Sequence, residues 1–275
     1  MTPFELVNRE LLINLAGGRA VLLELAHPLV AAGVALHSGF QQHPFRRLWR
    51  TWIVMTHITW GDAEERRRAL QTFHGGHAHV HGRLPAKSGQ FAAGSYYHAH
   101  DPELKRWVLA TLIDSALLAY ETFVAPLAVE EKQAYYDESL SVAHWLGIPR
   151  SLMPKAYPEF VAYMESMIAG ESLHVGEHAR QIVAAWFGTR LLRPLVKTAR
   201  YFGVGLLPRR LREEYQFHWR DSDETRWQRV AARLRRLRKI LPDALCVNPQ
   251  AWLSESYSKR TEGEREATGS QRFFA

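Results

Sequence analysis

Cys246 is the single cysteine in 275 residues. An internal disulfide and a cysteine-based zinc site are therefore excluded. Several chemical signatures are missing too. No G-x-S-x-G elbow, no G-x-x-x-x-G-K-[ST] loop and no G-x-G-x-x-G after a strand occurs, so serine-hydrolase and nucleotide chemistries lose their usual support. Zinc-finger and RNP-type motifs are absent, as is any repeat of fixed period. Long apolar runs are lacking as well. The most membrane-like stretch, Ala20 to Leu36, is interrupted by Glu24, His27 and Pro28, short of the ~20 apolar residues a spanning helix needs. Near the start, Arg9 is the only basic residue before the apolar stretch, between Glu5 and Glu10. No secretory leader is expected from that pattern, and the chain reads as cytoplasmic.

What remains is the composition of a folded protein. Hydrophobic residues make up 47% and charged residues 23%, which excludes intrinsic disorder. A chain of this length forms one large domain or two small ones, and it buries about three quarters of its unfolded surface. Helical periodicity dominates. Leu104, Trp107, Val108, Leu112, Leu118 and Ala119 recur at helical spacing after Asp101-Pro102, a cap followed by proline at the first helical position. Similar patterns predict helices over Phe4–Leu15 (stopped by Gly17-Gly18), Ala20–His37, Phe45–Trp60, Ala63–His81, Glu130–Leu146, Pro158–Ala169, Ser172–Phe187 and Thr225–Ile240. Only Gln90–His98 hints at extended structure. Pro149, Pro154 and Pro158 mark a bend between helices, too closely spaced for a domain boundary. The expectation is one all-α domain over residues 1–253 and a polar tail over 254–275.

Charge is unevenly spread. The net charge is +7, yet residues 190–239 hold fifteen Arg and Lys against five Asp and Glu, leaving the remainder slightly acidic. Such a stripe suits an anionic partner, and it equally suits a solvated helix face.

Three constellations carry chemistry. His74, His77, His79 and His81 lie together. On one continuous helix, the first, second and fourth share a face within about 60°, a candidate iron or zinc surface because neutral imidazole is a good ligand. A polar, solvated surface is the competing reading. Arg47, Arg50 and Thr51 also converge at helical spacing, placing two forked cations and a hydroxyl where a carboxylate, phosphate or activated oxygen would bind. Finally, Glu24-Leu-Ala-His27 and Glu171-Ser-Leu-His174 share the Glu-x-x-His spacing of di-iron bundles. His178 supports the second of these, while Pro28 and Gly176 weaken helical continuity around both.

Gly17–Phe40 (GGRAVLLELAHPLVAAGVALHSGF), Arg46–Thr51 (RRLWRT), His77–Gly82 (HAHVHG) and His98–Glu121 resemble, in order, the MpaB-type and latex-clearing protein (rubber oxygenase) catalytic domain family. Leu146–Pro149 and Leu207–Tyr215 extend the likeness, which is closer to the MpaB-like branch and runs from about Leu15 to Pro249. The resemblance implies an all-α fold with a globin-like core and bound haem b. It implies His77 as iron ligand through an H-x-x-V motif with Val80, followed by Gly82. It also implies Arg47, Arg50 and Thr51 near the distal face through R-x-x-[RK]-T. On spacing alone, His74 and His81 remain alternatives to His77. His81 abuts Gly82, where a helix tends to end, which favours the preceding turn.

The resulting expectation is a haem-dependent oxygenase that uses O2 on an apolar, unsaturated small molecule, by oxygen insertion or C=C cleavage. Arg47 and Thr51 would shape the distal pocket. Arg50 would hold a haem propionate or support Arg47. Leu22, Val30 and Leu112 are candidate lining residues. Two alternatives stand beside it: a di-iron protein using Glu24, His27, Glu171 and His174, and a cofactor-free helical binding protein with a basic surface. Expected partners are a small apolar substrate and O2, with no nucleic acid; contact of the basic segment with a membrane surface stays open.

Overall fold

Asp101 and Pro102 start the longest helix as the pair predicts: the Asp101 carboxylate accepts the Glu103 N–H at 2.8 Å, and proline occupies the first turn. The computed structural model describes residues 1–37, 44–188, 193–248 and 251, with residues 44–48 described by backbone alone. The polar segment 254–275 lies outside them. Among the described residues the chain forms α1 (Pro3–Asn8), α2 (Gly17–Ala26), α3 (Pro28–His37), α4 (Pro44–Trp60), α5 (Ala63–His77), α6 (Pro102–Phe123), α7 (Val129–Trp145), α8 (Tyr157–Ala169), α9 (Glu177–Phe187), α10 (Arg193–Leu206), α11 (Arg209–Glu214) and α12 (Asp221–Ile240). A single antiparallel hairpin, β1 (His81–Arg83) and β2 (Tyr96–His98), interrupts the helices between α5 and α6. The fold is a predominantly all-α single domain, as periodicity predicts.

The central helix α6 packs against α2, α7 and α12. Trp107 is buried in this core and donates its indole N–H to the Leu23 carbonyl at 3.3 Å. Leu22, Leu23, Phe123, Tyr136 and Phe160 are buried around it. Burying each such side chain contributes about 1.5–3 kcal/mol. A guanidinium is buried with them. Arg19, 4% exposed, meets Asp114 at 2.6 Å, the Ser115 hydroxyl at 2.7 Å and the Leu206 carbonyl at 2.9 Å. Every group is paired, as a buried guanidinium requires.

Several predicted helices change at their ends. Gly17 caps the 3₁₀ turn that ends at Ala16, and Gly17-Gly18 at once begins the next helix, α2. A Cβ on Gly18 would stand 2.7 Å from the Ala199 carbonyl oxygen, and one on Gly203 would stand 2.9 Å from the Gly18 carbonyl carbon. Glycine lets α2 and α10 cross backbone to backbone. The predicted Phe4–Leu15 helix divides into α1 and a 3₁₀ turn over Leu11–Ala16. The break falls at Glu10, which is pulled into a seam with the far end of the chain. There Leu11 N–H donates to the Cys246 carbonyl at 2.7 Å, and Asn248 N–H donates to the Arg9 carbonyl at 2.6 Å. Arg238 Nε donates to the Glu10 carboxylate at 2.9 Å and its Nη2 to Asp243 at 2.9 Å.

The predicted Ala20–His37 helix is bent by 101° at His27-Pro28. His27 leaves the helical region (φ −83°, ψ 116°), and its carbonyl accepts the Ala31 N–H at 3.0 Å to start α3. Its ring packs on Phe91 with centroids 5.2 Å apart, and its buried Nδ1 has no hydrogen-bond partner. Burial, only partly opposed by Asp101, lowers its pKa to about 4. No single helix among the described residues is long and apolar enough to cross a membrane; the bent pair meets the length and composition test only together.

Candidate active site

α4 and α5 are joined by Gly61 and Asp62 and pack along each other. Asp62 closes the turn through a capping box: its carboxylate accepts from Glu64 and Glu65 N–H, and Glu65 accepts back from Asp62 N–H. Two helices joined this tightly run antiparallel. Counting outward from the turn sets position 47 level with Gly76, and Arg50 and Thr51 level with Phe73 and Thr72. The R-x-x-R-T helix therefore faces the last two turns of the histidine helix. Arg50 and Thr51 are exposed. The Arg47 side chain lies outside the described residues, so its predicted convergence with them is tested by backbone register alone.

The histidine helix is shorter than predicted. α5 ends at His77, with Ala78 as its cap. His81 is in strand β1, opposite His98, so His74, His77 and His81 do not share one helix face. Two causes combine. Gly75-Gly76 weakens the last turn, and the chain after Val80 finds better backbone partners in β2: Ala99 N–H donates to the Val80 carbonyl at 2.8 Å. Gly82 fits this hairpin because a Cβ there would lie 2.7 Å from the Tyr97 hydroxyl oxygen. Thus His77 occupies the final helical position, not the turn before it. The argument that His81 marks the helix end is overturned.

The hairpin gathers a different set of rings. His77 and His74 each face His100, with centroids 6.2 and 5.8 Å apart. His98 lies 5.4 Å from His100, and His81 stacks on His98 at 5.5 Å and 8°. Lys105, from the first turns of α6, donates to the Leu146 and Gly147 carbonyls at 2.9 and 3.0 Å. Burial, with Lys105, His98 and His74 close by, holds the His100 pKa below its ordinary value. Sequence reasoning assigned no site role to His98, His100 or Lys105. The His98-Ala-His100 alternation just before a helix cap was the available signal.

His77 itself is held firmly. Its Nδ1 lies 2.6 Å from the Phe73 carbonyl oxygen, and its ring packs on Phe73 with centroids 4.2 Å apart. An Nδ1–H···O=C bond fixes the tautomer with the lone pair on Nε2, which is how a protein orients an imidazole for metal ligation. Among the described residues, no group of three or more His, Cys, Asp or Glu side chains converges to hold a metal ion. A haem would need only one protein ligand on a face, and His77 with its oriented ring fits that role. The di-iron pattern does not form. His27 caps α2 outside its helical turns, and Glu171 and His174 precede α9, which begins at Glu177 and not at Ser172. Instead of ligating, this segment docks by backbone: His174 N–H donates to the Ala26 carbonyl at 2.8 Å.

Among the candidate lining residues, Leu22 is fully buried in the main core, while Val30 and Leu112 are half-buried.

Residues 5–236 match the family described as ER-bound oxygenase mpaB/B'/rubber oxygenase, catalytic domain. The chain belongs to that family. It is accordingly an oxygenase, an oxidoreductase whose partners are a substrate and O2. Uncharacterized proteins of Mycobacterium bovis and Mycobacterium tuberculosis are each 26% identical over 232 residues, covering 81% of this chain and 87% of theirs. No solved structure matches the chain.

Proposed function

We propose that this oxygenase binds haem b and acts on an apolar, unsaturated small molecule, by oxygen insertion or C=C cleavage. The observation that carries the reading is the bond between His77 Nδ1 and the Phe73 carbonyl, which holds the ring and leaves Nε2 as the nitrogen that would take the iron. Haem, when bound there, supplies the iron that activates O2. Arg47 and Thr51, on the helix paired with α5, would serve as donors for negative charge that develops on oxygen, a contribution of about 10²–10³ in rate per donor. Arg50 would pair a propionate or support Arg47, since a guanidinium keeps its charge and offers forked donors. His100 and Phe73 flank the His77 ring and limit its rotation.

The test is haem content after expression with iron and a haem precursor, read by the pyridine haemochrome and the Soret band. The expected result is one haem per chain in the wild type, in His74→Ala and in His81→Ala, with loss of haem in His77→Ala. Full haem and an unchanged spectrum in His77→Ala would overturn the ligand assignment. Two irons per chain without porphyrin would overturn the haem reading itself.

A further inference from the structure

The last turn of α6 and the C-terminal half of α12 enclose a groove of about 530 Å³ on a part of the fold that the histidine cluster does not use. Its floor is apolar: Trp227 and Ala231 are buried there, and Ala232 adds an exposed small side chain to the lining. One wall carries Arg235, Arg236 and Lys239. The opposite wall carries Glu121, but that carboxylate is already held by Lys132 of α7 at 2.7 Å.

Arg235 is half-buried, while Arg236 and Lys239 are exposed along the rim. Among the described residues no carboxylate pairs with Arg235, Arg236 or Lys239, although Arg238 in the same turn bridges Glu10 and Asp243. Arg235 Nε is buried and has no acceptor. A buried donor left unmatched costs about 1–3 kcal/mol, so such a group in a native fold calls for a partner. The helix dipole favours cations in the final turn. That accounts for Lys239 and less well for Arg235 and Arg236, which lie further back.

Each simple ligand leaves half of this groove unsatisfied. A neutral lipid would cover the Trp227 floor and bury the cations unpaired; inorganic phosphate would neutralise the cations and leave the floor wet. We infer that the α6–α12 groove binds a fatty-acid-like carboxylate, its head on Arg235, Arg236 and Lys239 and its chain along Trp227 and Ala231. Arginine suits the head because its planar fork takes a carboxylate in two parallel hydrogen bonds. The volume lies within the usual range of small-molecule sites, about 300–1,000 Å³. This inference does not rest on the haem reading.

Calorimetric titration of the full chain at low salt tests it, with decanoate as probe and decan-1-ol and inorganic phosphate as half-probes. Decanoate is expected to saturate the protein, and each half-probe to bind at least about tenfold more weakly, a difference of about 1.4 kcal/mol. Arg235→Gln/Arg236→Gln should weaken decanoate by at least about tenfold and leave the thermal midpoint unchanged, because neither side chain is ion-paired among the described residues. Ala232→Trp, which fills the groove and keeps every charge, should weaken decanoate and decan-1-ol alike. His77→Ala should bind decanoate as wild type does, so the two readings fail separately. Unchanged decanoate affinity in both groove variants would overturn the inference. So would binding of duplex DNA or anionic vesicles that the double variant loses while decanoate gives no saturable heat.

Discussion

Lowering the pH should unfasten the bend at His27. The imidazole is buried, its Nδ1 has no partner, and its pKa falls from 6.5 to about 4 in the folded protein. The unfolded chain therefore takes up this proton first. A base with a depressed folded pKa adds stability above pH 6.5, and that stability is lost as the pH falls toward 4. At 1.36 kcal/mol for each pKa unit, the full difference is about 3 kcal/mol, of which about 2 kcal/mol is lost between pH 7 and pH 5. The weak place is known as well: the ring sits between the 101° bend of α2 and α3 and the Phe91 loop. Carboxylates and other histidines also titrate in this range, so the informative quantity is a difference. Denaturation of the wild type and of His27→Gln should be followed at pH 7, 6 and 5. The two stability curves should converge on acidification by about 2 kcal/mol, with His27→Gln the flatter of the two. Parallel curves would refute the reasoning and show that His27 reaches solvent or a partner before it protonates.

Three further outcomes follow from the geometry. Arg19→Ala leaves Asp114, Ser115 and the Leu206 carbonyl without their common donor; breaking a buried pair costs about 3–5 kcal/mol, which for a chain of this size lowers the melting temperature by roughly 6–20 °C. A change under 2 °C would show that the pair is dispensable, on the same scale. Gly18→Ala should destabilise the fold by about 1–3 kcal/mol through overpacking against α10, whereas Gly17→Ala, whose Cβ meets nothing within 4 Å, should be neutral or slightly stabilising in a melt of the same protein. Arg47→Ala and Thr51→Ala are expected to keep haem and lose about 10²–10³ in turnover; wild-type rates in both would remove α4 from the distal side.

Legibility in the sequence followed locality. Asp101-Pro102 and the apolar spacing behind it specify α6 almost to the residue, since a cap and a periodic face are both written within one segment. The end of α5 is different. His74 to His81 is a polar stretch with no apolar period to follow, and the strand that ends the helix is completed by Tyr96–His98, beyond a loop. For the same reason, His98 and His100 went unassigned beside His77. Gly17-Gly18 marked a stop at Ala16 but hid a second role. Glycine signals a stop by its conformational freedom, but here its missing side chain makes room for Gly203, a contact no local window contains. Family likeness reached further than periodicity, because an ordered set of motifs records contacts between distant segments. It pointed to His77, whose Nδ1 lies 2.6 Å from the Phe73 carbonyl oxygen.

The seam between Glu10 and Arg238 also sets a timetable. Leu11 N–H and the Arg9 carbonyl hydrogen-bond to Cys246 and Asn248, a segment translated long after them. At about 5–20 residues per second, the N-terminal strip waits roughly 10–50 s for its partner while α2 and α6 are already able to pack. Until then the Glu10 carboxylate, 4% exposed in the finished fold, lacks its Arg238 partner. Closure of the ring is consequently a late event in biosynthesis, and a truncation that removes Arg238 would leave a nascent chain with a formed helical centre and an unsewn edge.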